Sequence, residues 1–421
     1  GIDLYSSGST RATDLYFLGD STSTITAATG TIDLSRLYLE KDALGDSLII
    51  NHNFTLGGNT VDLTAGTLLF NNGGIDVQVT PSNREFTIPS TSAFIVSDGI
   101  ARVSGASNGI YLDGRLRLDN NGSLLMSNGT DDNYIRYSSS GNAAIEIAGN
   151  ATLTVGSQIR RVTGVDGGVL QYTQTGGTVT VGNNAAPNTS RGVFEILNAG
   201  SRFEFTGGDL IVARAQSSTD PAVYLDPGTS TLTGGVTLTL GNGNTPAGAS
   251  IGLYASIPLR DIEIDNSSNN DPTVQLYTLP LTADSLIIQG GTTFHSGGND
   301  VTLRGNLNNA GTYTADGNET LFTGSDQKII GNTTFYDLTV DNADSVKISN
   351  DITIDHNLTL SAGRFVDNGR TVHLKGHLTN QSIHASSDPA NGGILFNGSD
   401  RQEMSGTGTF GRMEIDNPQG V

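Results

Sequence analysis

Leu259-Arg-Asp-Ile-Glu-Ile-Asp-Asn266, Phe335-Tyr-Asp-Leu-Thr-Val-Asp-Asn342 and Phe410-Gly-Arg-Met-Glu-Ile-Asp-Asn417 are three versions of one phrase, about 75 residues apart. A fixed period with strand-like alternation inside it points to a repeat architecture, in which each unit is too small to bury its apolar face alone. A full unit runs from Phe335 to Thr409, and only Pro-Gln-Gly-Val421 follows Asn417. The expectation is therefore a piece of a longer chain.

The residues between the phrases repeat as well. Leu286-Ile-Ile-Gln-Gly-Gly-Thr-Thr-Phe294 answers Leu358-Thr-Leu-Ser-Ala-Gly-Arg-Phe365, and Val301-Thr-Leu-Arg-Gly-Asn-Leu-Asn-Asn309 answers Val372-His-Leu-Lys-Gly-His-Leu-Thr-Asn380. Leu321-Phe-Thr-Gly-Ser-Asp326 answers Leu395-Phe-Asn-Gly-Ser-Asp400. Further upstream, Gly176-Gly-Thr-Val-Thr-Val-Gly182, Gly207-Gly-Asp-Leu-Ile-Val-Ala213 and Gly234-Gly-Val-Thr-Leu-Thr-Leu-Gly241 each follow a Thr. A Gly-Gly pair supplies a turn, and alternate residues then point in and out. Even Leu48-Ile-Ile-Asn-His-Asn-Phe-Thr-Leu56 echoes Ile352-Thr-Ile-Asp-His-Asn-Leu-Thr-Leu360.

Inward positions are Val, Ile, Leu and Phe, and outward ones are Thr, Asn, Asp, Ser and Arg. The fold expected is all-β, a right-handed parallel β-helix (β-solenoid), right-handedness being the rule for parallel crossovers. With about 25 residues per turn and about 4.8 Å between strands, about 17 turns would make a rod of about 80 Å. The alternative is a string of tandem antiparallel β-sandwich repeats. Asn266, Asn342 and Asn417 at turn positions favour stacking, because aligned Asn side chains form ladders. The chain is expected to fall into three regions, with irregular turns over 1–146, Thr-Gly-Gly units over 147–256, and the long repeats over 257–421.

Composition agrees with strands. The 421 residues include 55 Gly, no Trp, no Cys and only 15% charged residues. Strand formers dominate and helix formers are scarce. A net charge of −20 would repel nucleic acid and anionic membrane surfaces. The lack of cysteine excludes a small disulfide-stapled fold. No run of about 18 apolar residues exists to cross a bilayer as a helix. Gly1-Ile-Asp-Leu-Tyr carries no apolar leader, so any signal peptide is expected upstream or already removed.

Chemistry is sparse. His373 and His377, read as one strand, would lie about 13 Å apart and could not share a metal. His52 and His356 hold matching places before Asn53 and Asn357 and read as turn residues. Asp261, Glu263 and Asp265 project from one strand face, but the next unit has Thr339 in the middle position, so the trio reads as a solvated face. Asp131 and Asp132 could sit at a calcium-binding turn, as oxygen-rich loops suit a hard cation. No other cofactor is indicated. A polysaccharide lyase or hydrolase of the β-helix type needs clustered acids with Arg or Lys, yet Arg160-Arg161 is the only adjacent basic pair in the sequence. No nucleophile elbow, P-loop or zinc spacing appears. Thr178/Thr180 and Thr237/Thr239 have the spacing of flat Thr-x-Thr faces, but half-buried strand propensity explains them.

A phrase like Phe-x-x-Leu-x-Val-Asp-Asn, followed by Asn-Leu-Thr-Leu-x-x-Gly-x-Phe, resembles the repeats of giant secreted surface proteins of Bacteroidota. The resemblance covers 257–421 well and 147–256 loosely, and over 1–146 it extends only to general character. It implies export by the type IX system, partners in secretion and surface anchoring, and a role in adhesion, including gliding motility. It also implies O-glycosylation at Asp-Ser or Asp-Thr followed by a small apolar residue or Thr. Asp46-Ser-Leu48, Asp284-Ser-Leu286 and Asp344-Ser-Val346 fit, and Asp20-Ser-Thr22 fits less well. Ser47, Ser285, Ser345 and Ser21 are the candidate acceptors, and each would need an exposed turn. The expected function is a non-enzymatic structural or adhesive stalk segment at the cell surface. The polysaccharide-cleaving β-helix is its rival.

Overall fold

The computed structural model describes residues 14–26, 32–34, 36–56, 61–79, 85–126, 131–138, 142–217, 219–388 and 390–421. The described residues form 41 strands and no helix. They divide into two compact units, Gly1–Val236 and Thr237–Val421. The division falls at neither 146/147 nor 256/257. Within each unit the strand pairings are parallel, so the alternative of antiparallel sandwiches is not what the chain forms.

In the second unit the pairings build three ladders. The first runs through Leu281–Ala283, Val301–Leu303, Glu319–Phe322, residues 337–340, residues 358–360, Leu378–Asn380 and Met404–Ser405. The second runs from Thr237–Leu240 through Asp261–Ile264, Leu286–Ile288, Leu307–Asn309 and Gln327–Ile330 to residues 345–348, 364–366 and Ile383–Ala385. The third takes Ser250–Ala255, Thr273–Leu276, Thr293–His295 and Thr312–Thr314. It continues with Thr333–Phe335, Ile352–Ile354, Thr371–Leu374, Gly393–Phe396 and Met413–Ile415, and Tyr313 packs on Phe335 at 5.7 Å where the two stretches meet. From Leu281 the chain visits first, second and third ladder in unbroken rotation, and paired residues here are 18 to 26 positions apart.

The rotation explains the long repeat. Successive copies of the phrase are eleven strand positions apart, counting the single bridge at Thr409 and both halves of the bent strands Asp337–Ile348 and Leu358–Val366. Eleven is not a multiple of three. The first copy therefore lies in the second ladder, the next in the first ladder and the last in the third. The first two copies share a buried environment inside the unit, at Ile262 and Ile264 and at Leu338 and Val340, whereas in the last Met413 is half-buried and Ile415 is 63% exposed; the three copies point outward in different directions.

That shared environment is partly apolar. Leu338, Val340, Leu358 and Leu360 are at most 1% exposed, as the alternation requires. It is also polar. Gln327 donates to the carbonyls of Leu303 (3.0 Å) and Gly305, and its Oε1 accepts from Gly324 N (2.7 Å) and Asn342 Nδ2 (2.6 Å). Gln402 repeats the arrangement with Leu374 (2.9 Å), Gly376 (2.6 Å), Gly398 (2.9 Å) and Asn417 (2.8 Å). All four amide side chains are buried. Asn342 and Asn417 thus clasp a glutamine fifteen residues upstream instead of stacking in an Asn ladder. Asn266 has no such partner and bonds Asp271 and Gly290 in an exposed turn. Gly331 and Gly406 are equivalent too. Both have positive φ, and a Cβ would lie 1.8 Å from Asn309 O and 2.0 Å from Asn380 O, so only glycine fits.

The first unit uses longer spacings, 20 to 35 residues, and a core richer in aromatics. Phe70, Phe86 and Phe94 meet edge to face at 5.4 Å, and Tyr172, Phe194 and Phe203 form a second cluster. The longest spacing, Ile159 to Phe194, exists because the segment between Val181 and Phe194 loops out over the outer face of Ile159–Arg161.

Two substitutions separate the apolar and polar contributions. Leu338→Ala is expected to cost about 2–5 kcal/mol in denaturant unfolding, through lost burial and the cavity left. Gln327→Leu is expected to cost about 1–3 kcal/mol, because it strands the buried Asn342 amide, the Gly324 N–H and the Gly305 carbonyl. A Gln327→Leu protein as stable as the parent would show that the clasp is incidental.

Candidate functional site

The four candidate acceptor serines are in different surroundings. Ser21 is exposed, and its carbonyl accepts from Lys41 Nζ at 2.6 Å. Ser47 opens strand Ser47–Ile50 half-buried, after a turn in which Asp46 bonds the N–H and C=O of Ala43 at 3.0 Å each. Ser285 is also half-buried. Its Oγ accepts from Asn306 N at 3.3 Å, Gly305 lies over it, and Asp284 is ion-paired to Arg260 at 2.6 Å. Ser345 corrects the expectation of an exposed turn. It is 4% exposed inside strand Asp337–Ile348, because the register that seats Val346 in the core carries Ser345 past the strand's bend.

Asp131 and Asp132 already receive hydrogen bonds. Asp131 accepts from Gly105 N at 3.0 Å. Asp132 accepts from Ser107 N, from Ser107 Oγ at 3.1 Å and from Asn188 Nδ2 at 2.9 Å. Burial pushes the Asp132 carboxyl up, but these donors outweigh it and hold it below its ordinary value. Three donors occupy three of the roughly four lone-pair positions of the Asp132 carboxylate. Among the described residues, no three His, Cys, Asp or Glu side chains are grouped to hold a metal.

Asp261, Glu263 and Asp265 are each engaged separately, with Ser285 N, Gln289 Nε2 and Ser267 N. Thr178 and Thr180 have Thr152 and Thr154 on one side but Asp209 and Ile211 on the other, so the threonine column ends after two strands. His373 and His377 are not in one strand: Lys375 and Gly376 separate Thr371–Leu374 from Leu378–Asn380. His356 is exposed, stacked on Tyr336 at 4.8 Å and 2.8 Å from Asp337.

His384 is different. It is buried, with Nε2 3.1 Å from the buried Asp367 carboxylate and Nδ1 accepting from Gly411 N at 3.3 Å. Ser386 Oγ donates to the same carboxylate at 2.5 Å and accepts from Arg412 N at 2.7 Å. The serine faces the carboxylate and not the imidazole, so the trio lacks the relay of a hydrolase triad. It ties the 409–412 segment to the strand beneath. A proton on Nδ1 would oppose the Gly411 N–H.

A second buried polar layer lies on the first unit, around the Arg160-Arg161 pair. In strand Ile159–Arg161 all three residues are buried, which breaks the alternation. Arg161 is paired with Glu195: backbone N at 2.7 Å and Nε at 3.0 Å reach Oε1, and Gly192 N reaches Oε2 at 3.2 Å. Gln158 holds the covering loop through Arg191 O (2.8 Å) and Gly192 O (3.0 Å). Beside them Tyr111, Arg136 and Arg160 occupy one register column. Arg136 lies over Tyr111 (5.0 Å) and pairs with Glu85 (2.5 Å), and Tyr134 also donates to Glu85 (2.9 Å). The sequence showed the adjacent arginines. It did not show that a loop 20 to 30 residues later would bury them.

Comparison with protein families, with curated proteins and with solved structures finds no match to this chain.

Burial pulls the His384 pKa below its ordinary value, although Asp367 opposes this. The folded state therefore binds the proton less readily than the unfolded chain, whose histidine titrates near about 6.5. Stability should fall as pH drops through and below that value. His384→Gln should flatten the part of the pH 5–7 unfolding profile that His384 generates. An unchanged slope would contradict the assignment. Independently, Glu195→Ala is expected to cost about 3–5 kcal/mol, because it leaves Arg161 buried without its counter-charge.

Proposed function

We propose that the chain winds as a right-handed parallel β-helix and serves as a non-enzymatic stalk segment of a large secreted bacterial surface protein. The observation that carries this reading is the distribution of the repeated phrase over three ladders. What the first two copies share is an inward apolar core, and what the last two share is the Gln–Asn clasp. Their outward residues are spread around the unit and form no common flat array. Repeats of that kind favour length and stiffness over a repeated catalytic or binding face.

The all-β, parallel, three-ladder organisation fits the same reading, and so does the acidic, Asn- and Thr-rich outer surface. The resemblance to Bacteroidota adhesins adds the location and partners: export by the type IX system, attachment outside the cell, and a role in adhesion or gliding. On this reading Ser21 and Ser47 are the acceptor serines open to a glycosyltransferase. No cofactor is required.

Protease shaving and antibody labelling of intact source cells test the proposal, with deletion of the coding region scored for surface attachment. Surface exposure and loss of attachment are expected, without loss of any glycan-degrading activity. An intracellular protein, or turnover of acidic polysaccharide by the purified chain, would contradict it.

A further inference from the structure

We propose that Asn242-Gly243 is a self-modification site, where the asparagine converts to aspartate and isoaspartate with water as the only co-reactant. The Gly243 backbone nitrogen attacks the Asn242 side-chain carbonyl carbon, and the new C–N bond closes a cyclic imide. The bond to Nδ2 breaks, and ammonia leaves with the former Gly243 amide proton. One water then opens the imide at either of its carbonyls, giving aspartate or isoaspartate. Glycine favours the attack because no Cβ shields its nitrogen.

The turn between strands Thr237–Leu240 and Ser250–Ala255 brings the reacting groups together. Asn244 N donates to Asn242 Oδ1 at 2.8 Å. In that arrangement the side-chain carbonyl takes the place of a backbone carbonyl in a tight turn, which folds its carbon back towards the next amide nitrogen. The same hydrogen bond polarises the carbonyl under attack. Among the described residues, Gly243 N–H has no hydrogen-bond partner, so the nucleophile is not tied up. Gly243 is exposed, and nothing lies within 4 Å of where its Cβ would be, so the peptide has room to rotate as the imide closes.

The sequence contains eight Asn-Gly pairs, and the fold restrains the others that are described. Gly122 N donates to Asp119 O, Gly369 N to Asp367 Oδ1 and Gly398 N to Gln402 Oε1, each at 2.9 Å. Gly109 is pressed against the Tyr134 ring, and Gly392 against the backbone of Gly369 and Arg370. Asn72 makes the same contact as Asn242, with Gly74 N at 2.9 Å, but Gly73 lies inside strand Val61–Val79. The selectivity thus comes from the fold and not from the dipeptide.

Conversion has a structural consequence. Asn242 N donates to Thr245 Oγ1 at 2.8 Å, Thr245 N donates to Asn242 O at 2.9 Å, and Thr245 is 1% exposed. Isoaspartate lengthens the main chain between these two groups and breaks the clasp, which loosens the corner where the third ladder begins. The site is independent of the stalk proposal, since an enzyme with this turn would convert in the same way.

Peptide mapping by mass spectrometry of the full chain, aged in mildly alkaline buffer with and without urea, tests the proposal. In the native chain Asn242 should convert at least tenfold faster than Asn121, Asn368 and Asn397, with isoaspartate among the products. In urea the four rates should converge. Gly243→Ala, which fits the open space, should slow conversion at least tenfold at an unchanged melting temperature. Hydrogen exchange at Thr245 should be faster in the aged chain. The proposal is overturned if native Asn242 reacts no faster than the other three, if its lead persists in urea, or if Gly243→Ala converts as fast as the parent. Should Gly243→Ala misfold, the comparison of native and urea-treated parent decides alone.

Discussion

The structure depends on in-register parallel stacking of very short strands. A strand of three or four residues has one or two inward side chains and cannot exclude water by itself. Stacked at about 4.8 Å on a strand with the same alternation, it places Leu on Leu or Val on Ile, as at Leu338↔Leu358↔Leu378 and Ile352↔Val372↔Ile394. Each addition buries the face of the strand before it. The backbone N–H and C=O groups are paired in the same step, which satisfies both requirements of a buried strand.

That constraint also decides where polar residues can enter. At corners between ladders the chain must bend, and Leu303 O and Leu374 O keep a backbone donor there while Gly305 O and Gly376 O are bonded by glutamine side chains. Gln327 and Gln402 reach in from such corners to bond two carbonyls and one N–H each. Asn342 and Asn417 then saturate the glutamine oxygens. Close stacking at corners likewise leaves room for glycine alone, as at Gly331 and Gly406. In the first unit the same logic appears outside the main core. A long loop covers the outer face, and the side chains beneath it are satisfied through the Arg161–Glu195 pair and the Gln158 amide.

The class of fold was legible because alternation is a local property. Thr-Val-Thr-Val and Asp-Ile-Glu-Ile announce which side is buried without knowledge of the neighbours. The buried state of Leu338, Val340, Leu358 and Leu360 follows from it directly. The roles of Asn342 and Asn417 did not, because they depend on a glutamine fifteen residues away whose position is fixed by the strand count. Ser345 was misplaced for a related reason: Asp344-Ser-Val346 reads as a turn entering a strand, yet Asp337–Ile348 continues through it with shifted register. Arg160 and Arg161 were visible as an adjacent pair, but burial by the segment before Phe194 is a tertiary event with no local signature.

The account's central claim is that strands about 20 residues apart stack directly and that the long repeat is not the structural period. The chain has no cysteine, so engineered pairs report on this without background. Thr339 and Thr359 are register partners on adjacent strands, while Thr379 is one strand further on. Adjacent strands bring Cα atoms within the range a disulfide spans, and a two-strand separation of about 9.6 Å does not. Under mild oxidation Thr339→Cys/Thr359→Cys should form an intramolecular disulfide in the folded protein, and Thr339→Cys/Thr379→Cys should remain reduced. The opposite pattern, or equal oxidation of both pairs under native conditions, would contradict the stacking.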